Sequence, residues 1–240
     1  MPKNTFFPRA FIAALSLAPA AFADTVTTFQ TGAVNNATCG IACPVNSSVV
    51  FTAKANGMLL VTLTNVSVLG LDQQVLTAVA FNFAGMVNAG SIATQATQPL
   101  VQFTGSNGSS SDLTTVGVTA TSNWGTSAGT GGFAGYDVLT NLGFNAKGSE
   151  GILGNGGGNA SSNVQNNHGP YFYGTATFTL NVAGVNANTV ITGAQFNYGT
   201  ALNDAVSANV VTSATPEPGT ISMALGGAAL LLLARRRKSA

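Results

Sequence analysis

Between residues 24 and 215 the chain alternates apolar and polar positions with a period of two, the signature of half-buried strands rather than helices. The clearest run is 172–182. Phe172, Ala176, Phe178, Leu180 and Val182 fall on one face, with Gly174 in the gap. Tyr173, Thr175, Thr177, Thr179 and Asn181 fall on the other. Shorter runs of the same kind occupy 59–64, 79–83, 101–104 and 194–198, and strands are also expected at 48–53 and 113–118. The wet faces carry Thr, Asn and Gln instead of charges, which suits antiparallel strands with one dry side. The best helix candidate in this stretch is the weak segment 136–142. Many short strands separated by Gly, Asn and Ser turns predict an all-β fold, an antiparallel two-sheet sandwich of jelly-roll-like form. A right-handed β-helix would need a fixed short repeat, which the chain lacks.

One internal echo stands out. The segment 76–83 (LTAVAFNF) shares its apolar-Thr-small and Phe-Asn-aromatic register with 191–198 (ITGAQFNY). Two core strands with the same inward pattern explain this without a duplicated domain. Residues 125–169 hold 13 of the 29 glycines and are expected to form surface loops or hairpin turns that act as flexible filler.

Only 6% of the 240 residues are charged, and the formal net charge is +1. Six of the eight basic residues lie at the extreme ends. Residues 24–215 keep two lysines against six acids, a formal −4. There is no basic stripe for nucleic acid. About 190 residues suffice for one domain with a core of its own.

The ends are the most informative segments. Lys3 and Arg9 precede a short apolar run, Ala10 to Ala18, and Ala21-Phe22-Ala23 gives a small-x-small site before Asp24. Residues 1–23 are therefore read as a secretory signal peptide cleaved between Ala23 and Asp24. At the other end Pro216-Glu217-Pro218 is followed by an uncharged stretch, 221–234, and then by Arg235, Arg236, Arg237 and Lys238. Fourteen apolar residues are short for a stable span, which takes roughly 17–25. The basic cluster is expected on the cytoplasmic side. A plain C-terminal membrane anchor is the competing reading.

This order of Pro-Glu-Pro, short apolar helix and terminal Arg cluster resembles the PEP-CTERM family of bacterial exported proteins. The resemblance covers residues 216–240. It implies recognition by an exosortase, a membrane cysteine protease-transferase, and removal of the tail near Pro216–Pro218. It also implies transient tethering to the inner membrane, then release or attachment at the cell surface. In such hosts these proteins accompany exopolysaccharide and biofilm matrix. The same tail is also called an ice-binding protein C-terminal domain, a label that describes the tail and not the body.

Candidate chemistry in the body is thin. Cys39 and Cys43, separated by three residues in an exported chain, are expected to form a disulfide. No metal site and no cofactor is expected, since the single His168 and the dispersed acids Asp72, Asp112, Asp137, Glu150 and Asp204 form no ligand cluster. Gly125-Thr126-Ser127-Ala128-Gly129 matches the G-x-S-x-G pattern, with Asp137 and His168 following in triad order. The segment after it is a poor helix, however, and that mechanism needs a strand-to-helix elbow. Trp124, Phe133, Tyr136, Tyr171 and Tyr173 lie in or beside the Gly-rich region and are read as packing residues, with sugar stacking as the alternative. The reading favoured is a non-enzymatic, exosortase-sorted surface or matrix protein associated with exopolysaccharide. A secreted hydrolase and an ice-binding protein are the alternatives. The latter needs a flat, repeated Thr array, of which Thr175, Thr177 and Thr179 supply one row.

Overall fold

The computed structural model describes residues 24–37, 43–83, 91–94, 99–105, 107–117, 124–129, 131–141, 150–167, 169–202 and 205–214. Residues 24–215 form one compact unit. In chain order the strands begin with β1 (Thr25–Gln30), β2 (Val34–Asn35), β3 (Pro44–Val45), β4 (Ser47–Ala53) and β5 (Met58–Asn65). Next come β6 (Leu76–Phe83), β7 (Ser91–Thr94), β8 (Leu100–Phe103), β9 (Leu113–Gly117), β10 (Gly125–Ala128) and β11 (Asp137–Thr140). After β12 (Ile152–Leu153) a six-residue helix, α1 (Ser162–Asn167), precedes β13 (Phe172–Tyr173) and β14 (Thr175–Asn181). The last strands are β15 (Ile191–Tyr198), β16 (Ala205–Ser207) and β17 (Asn209–Ala214).

Two sheets face each other. The first runs β17–β1–β4–β5–β14–β7. In the second, β6 is flanked by β15 and β16 on one side and by β11 and β10 on the other. The strand β12 joins β6 at Leu76, past the β11 contact, and carries β13 in parallel. The remaining described ladders are antiparallel. From β5 onward the chain alternates between sheets, first to β6, back to β7, across to β10–β13, back to β14, across to β15 and back to β17. The fold is thus the expected antiparallel sandwich, with the jelly-roll trait of repeated crossing.

Alternation along each strand builds the core. β1, β4, β5 and β14 alternate buried and half-buried positions without a break from Thr25 to Gln30, Ser47 to Ala53, Met58 to Asn65 and Thr175 to Leu180. Their inner residues meet Val79, Phe81, Leu139, Phe196 and Tyr198 of the second sheet in one cluster. Phe51 packs on Phe81 across the sandwich with ring centroids 5.0 Å apart, and Trp124 lies 4.8 Å from Phe178. Each fully buried side chain of this kind contributes about 1.5–3 kcal/mol. A smaller cluster of Leu69, Val75, Phe103, Leu153, Val164 and Tyr171 sits under α1 and β8.

The echoed segments are β6 and β15, and they are antiparallel neighbours. Antiparallel pairing of two like strands creates a local two-fold, so the shared Thr and Asn meet twice. Asn197 Nδ2 donates to Thr77 Oγ1 at 2.9 Å in the buried copy. Thr192 Oγ1 donates to Asn82 Oδ1 at 2.9 Å in the exposed copy.

Two expectations are corrected. The segment 136–142 is the best, though weak, helix candidate of the body, yet Asp137–Thr140 is strand β11, buried at every position. Val138 packs with Ala78, Ala80 and Phe133 on one side while Leu139 enters the main core on the other. A strand covered on both faces loses its period of two and cannot be told from a helix by pattern. The described part of the Gly-rich region is also no flexible filler. The Leu69 N–H donates to Gly157 O at 2.6 Å, the Gly156 N–H to Ser67 O at 3.0 Å and the Asn155 N–H to Asn65 O at 3.3 Å. A Cβ on Gly154 would collide with the Ser67 carbonyl, so glycine here permits backbone to lie on backbone.

Candidate sorting and processing sites

The body is fixed from its first residues. Asp24 Oδ2 is 3.1 Å from Lys54 Nζ, a pair exposed on both sides and therefore of little energetic weight. Thr25 is buried. Its N–H and its Oγ1 both donate to Ala187 O, at 3.0 and 2.6 Å. Among the described residues, backbone hydrogen bonding to the rest of the body thus starts two residues after Ala23, which itself lies outside the described residues. At the other end β17 pairs with β1, with Ala214 opposite Val26. Both ends of the body consequently leave from neighbouring strands at one corner of the six-stranded sheet. Thr215 alone separates Ala214 from Pro216 in sequence, so the Pro-Glu-Pro segment follows the last strand without a linker. Pro216, Glu217, Pro218, the stretch 221–234 and the cluster Arg235, Arg236, Arg237 and Lys238 lie outside the described residues. Among the described residues no helix is long and apolar enough to cross a membrane.

Cys43 is buried beside β3 and its carbonyl accepts the Asn36 N–H at 2.9 Å. β2 and β3 pair through Val34 with Val45 and Asn35 with Pro44, closing the loop that carries both cysteines. Cys39 is outside the described residues, and among those described no cysteine is a free thiol.

The G-x-S-x-G segment is strand β10, so Ser127 sits mid-strand opposite Val138 and not on a strand-to-helix elbow. Asp137 lies opposite the next residue, Ala128, which puts its side chain on the other face of the sheet from Ser127. His168 is outside the described residues. Asp137 is nonetheless unusual, being 3% exposed with no hydrogen-bond partner at either carboxylate oxygen among the described residues. Desolvation by burial pushes its carboxyl above the ordinary carboxylate range. Among the described residues no three His, Cys, Asp or Glu side chains are grouped to hold a metal ion. The crevice lined by Leu69, Leu71, Val75, Leu153 and Val164 encloses essentially no room even for water, far short of an ordinary ligand site.

The aromatic candidates pack. Trp124 Nε1 donates to Glu150 O at 2.7 Å, Tyr171 Oη donates to Val164 O at 2.8 Å, and Phe133 is fully buried. Only Tyr173 of the five is exposed.

The threonine row, in contrast, has neighbours that strand order alone reveals. On the outer face of the six-stranded sheet, Val26, Thr52, Leu60 and Thr179 form one rung across β1, β4, β5 and β14. Thr28, Val50, Thr62 and Thr177 form the next, and Gln30, Ser48, Thr64 and Thr175 the third. Thr62 and Thr177 hydroxyls are 3.2 Å apart, and those of Thr64 and Thr175 3.3 Å. The sequence signal was present as Thr at alternate positions in β14 and in the second half of β5, and only as scattered Thr and Ser in β1 and β4. The register that stacks them was not.

The fold defines the class: an all-β sandwich followed in sequence by a C-terminal segment that lies beyond the described residues. Residues 214–238 match the PEP-CTERM protein-sorting motif, beginning at the last residue of β17. That motif marks an exported protein whose membrane-anchored precursor is processed by an exosortase-type membrane enzyme. Neither a curated protein nor a solved structure matches the chain.

Proposed function

We propose that the protein is a non-enzymatic component of the cell surface or extracellular matrix, delivered by exosortase sorting and associated there with exopolysaccharide. The observation that carries this reading is the sorting motif, which starts where a self-contained sandwich ends. The absence of an elbow at Ser127 supports a body that displays a surface instead of performing hydrolysis. Signal cleavage between Ala23 and Asp24 releases a body already anchored at Thr25. The stretch 221–234 holds the precursor in the inner membrane with Arg235–Lys238 cytoplasmic, which offers Pro216-Glu217-Pro218 to the enzyme at the outer face. Cys39 and Cys43 are bridged, a reading supported by the burial of Cys43 and its lack of a free thiol. Quantitative thiol labelling of the exported, unfolded protein is expected to find none, and two labelled thiols would remove the bridge.

Intact mass measurement of the exported protein, from the native host and from the same host lacking its sorting enzyme, tests the whole reading. The expected result is a chain starting at Asp24 and trimmed near Pro216–Pro218 in the first host. In the second host the tail should be intact and membrane-bound. An intact tail in both hosts would establish the plain-anchor reading.

A further inference from the structure

We propose that the outer face of the six-stranded sheet binds a neutral, linear polysaccharide. This deepens the matrix reading above, on which it rests. The three rungs bring hydroxyls from four strands into one surface, and none of the twelve side chains is charged. At one margin the exposed ion pair of Asp24 with Lys54 cancels itself. The body as a whole carries two lysines against six acids, which repels polyanions. A neutral polyhydroxyl chain has the complementary chemistry. Threonine hydroxyls both donate and accept, and the methyls of threonine with Val26, Val50 and Leu60 suit the C–H faces of sugar rings.

The surface is also pre-ordered. Threonine is stiff at χ1, and the Thr62–Thr177 and Thr64–Thr175 contacts hold hydroxyls in place before any ligand arrives. Little side-chain entropy remains to be lost on binding. Strands lie about 4.8 Å apart, so a rung across four of them spans about 14 Å, the length of a few sugar rings. Adjacent strands in such sheets rotate by roughly 20–25°. A rigid planar lattice such as ice therefore matches only part of the face, whereas a flexible polymer can follow the twist. Repetition of weak sites along one polymer then supplies avidity.

The test is affinity electrophoresis of the mature protein, purified as exported, through native gels containing dextran, mixed-linkage β-glucan or alginate. Retardation is expected in at least one neutral polymer and not in alginate. Thr62→Lys with Thr177→Lys should weaken it at least tenfold, and Thr192→Lys, on the other sheet, should leave it unchanged. Melting temperatures check folding, and Thr62→Ala with Thr177→Ala, expected to weaken retardation several-fold, serves if the lysine variant does not fold. Migration unaffected by either neutral polymer, equal retardation by alginate, or full binding by the folded double variant would overturn the proposal. So would enrichment of the wild type in ice growing on a cold finger that the same double variant abolishes. Each outcome is independent of tail trimming, so failure here leaves the sorting reading to its own mass measurement.

Discussion

The two faces of the six-stranded sheet use the same strands and the same alternation, but different chemistry. The inner face of β4, β5 and β14 is Val49, Phe51, Ala53, Leu59, Val61, Leu63, Ala176, Phe178 and Leu180, with the paired Ser47 and Asn65 at one end, all essentially inaccessible to water. The outer face of the same strands is Thr and Ser with a few aliphatics, all half-exposed. An ordinary soluble sheet would place Lys and Glu there, as about a quarter of its residues are charged. This chain holds its solvent face with hydroxyls. The inner face accounts for the fold, while the outer face is free to be specified by what it meets.

The comparison predicts unequal costs for equal-looking truncations. Phe178→Ala removes a ring packed on both Trp124 and Phe172 and is expected to cost about 3–5 kcal/mol in denaturant unfolding. Thr177→Ala, its neighbour on the outer face, should stay within about 0.5 kcal/mol. A comparable loss at both positions would mean that the outer face is also core.

The twin Thr–Asn contacts between β6 and β15 sharpen the point with matched chemistry. Asn197→Ala leaves Thr77 and the Ala201 carbonyl short of a buried donor and should cost about 1–3 kcal/mol. Asn82→Ala, where Thr192 can turn to water, should cost a few tenths. Equal effects would show that the echo, not burial, sets the energy.

Asp137 provides a smaller, pH-dependent effect. Its folded pKa is raised by desolvation, so the folded state holds the proton more tightly than the unfolded chain. The stability this contributes is complete below the unfolded value of about 3.9 and is lost as pH climbs through the raised folded value. Asp137→Asn should flatten that decline and stabilise the protein at neutral pH. A wild-type curve without such a decline would contradict the buried, partnerless carboxylate.

Fold class was readable in the chain because β4, β5 and β14 keep one wet face, and alternation is visible wherever one face is wet. β11 was not readable, since Val138 and Leu139 are buried on opposite sides. β1 and β17 were not anticipated either. Their pairing joins opposite ends of the body, and nothing local announces a partner about 180 residues away. The Gly-rich region looked like filler because a contact between backbones leaves no side-chain pattern. The sorting motif was legible for the opposite reason. It is a contiguous signal of Pro, apolar and Arg blocks that needs no fold to be read. The Thr rungs stand between these cases, with the row visible in β14 and part of β5 and the array visible only through register.

Pro216-Glu217-Pro218 is proposed to sort this body out of the inner membrane, to the cell surface or into the medium, and Glu217 is the only charge between Asp204 and Arg235. The most direct measurement compares the C-terminal mass and surface abundance of wild type and Glu217→Ala in the native host. The wild type is expected to be trimmed and displayed, while Glu217→Ala keeps its tail and stays with the inner membrane. Equal trimming and equal display of the two would contradict the sorting role assigned to the motif.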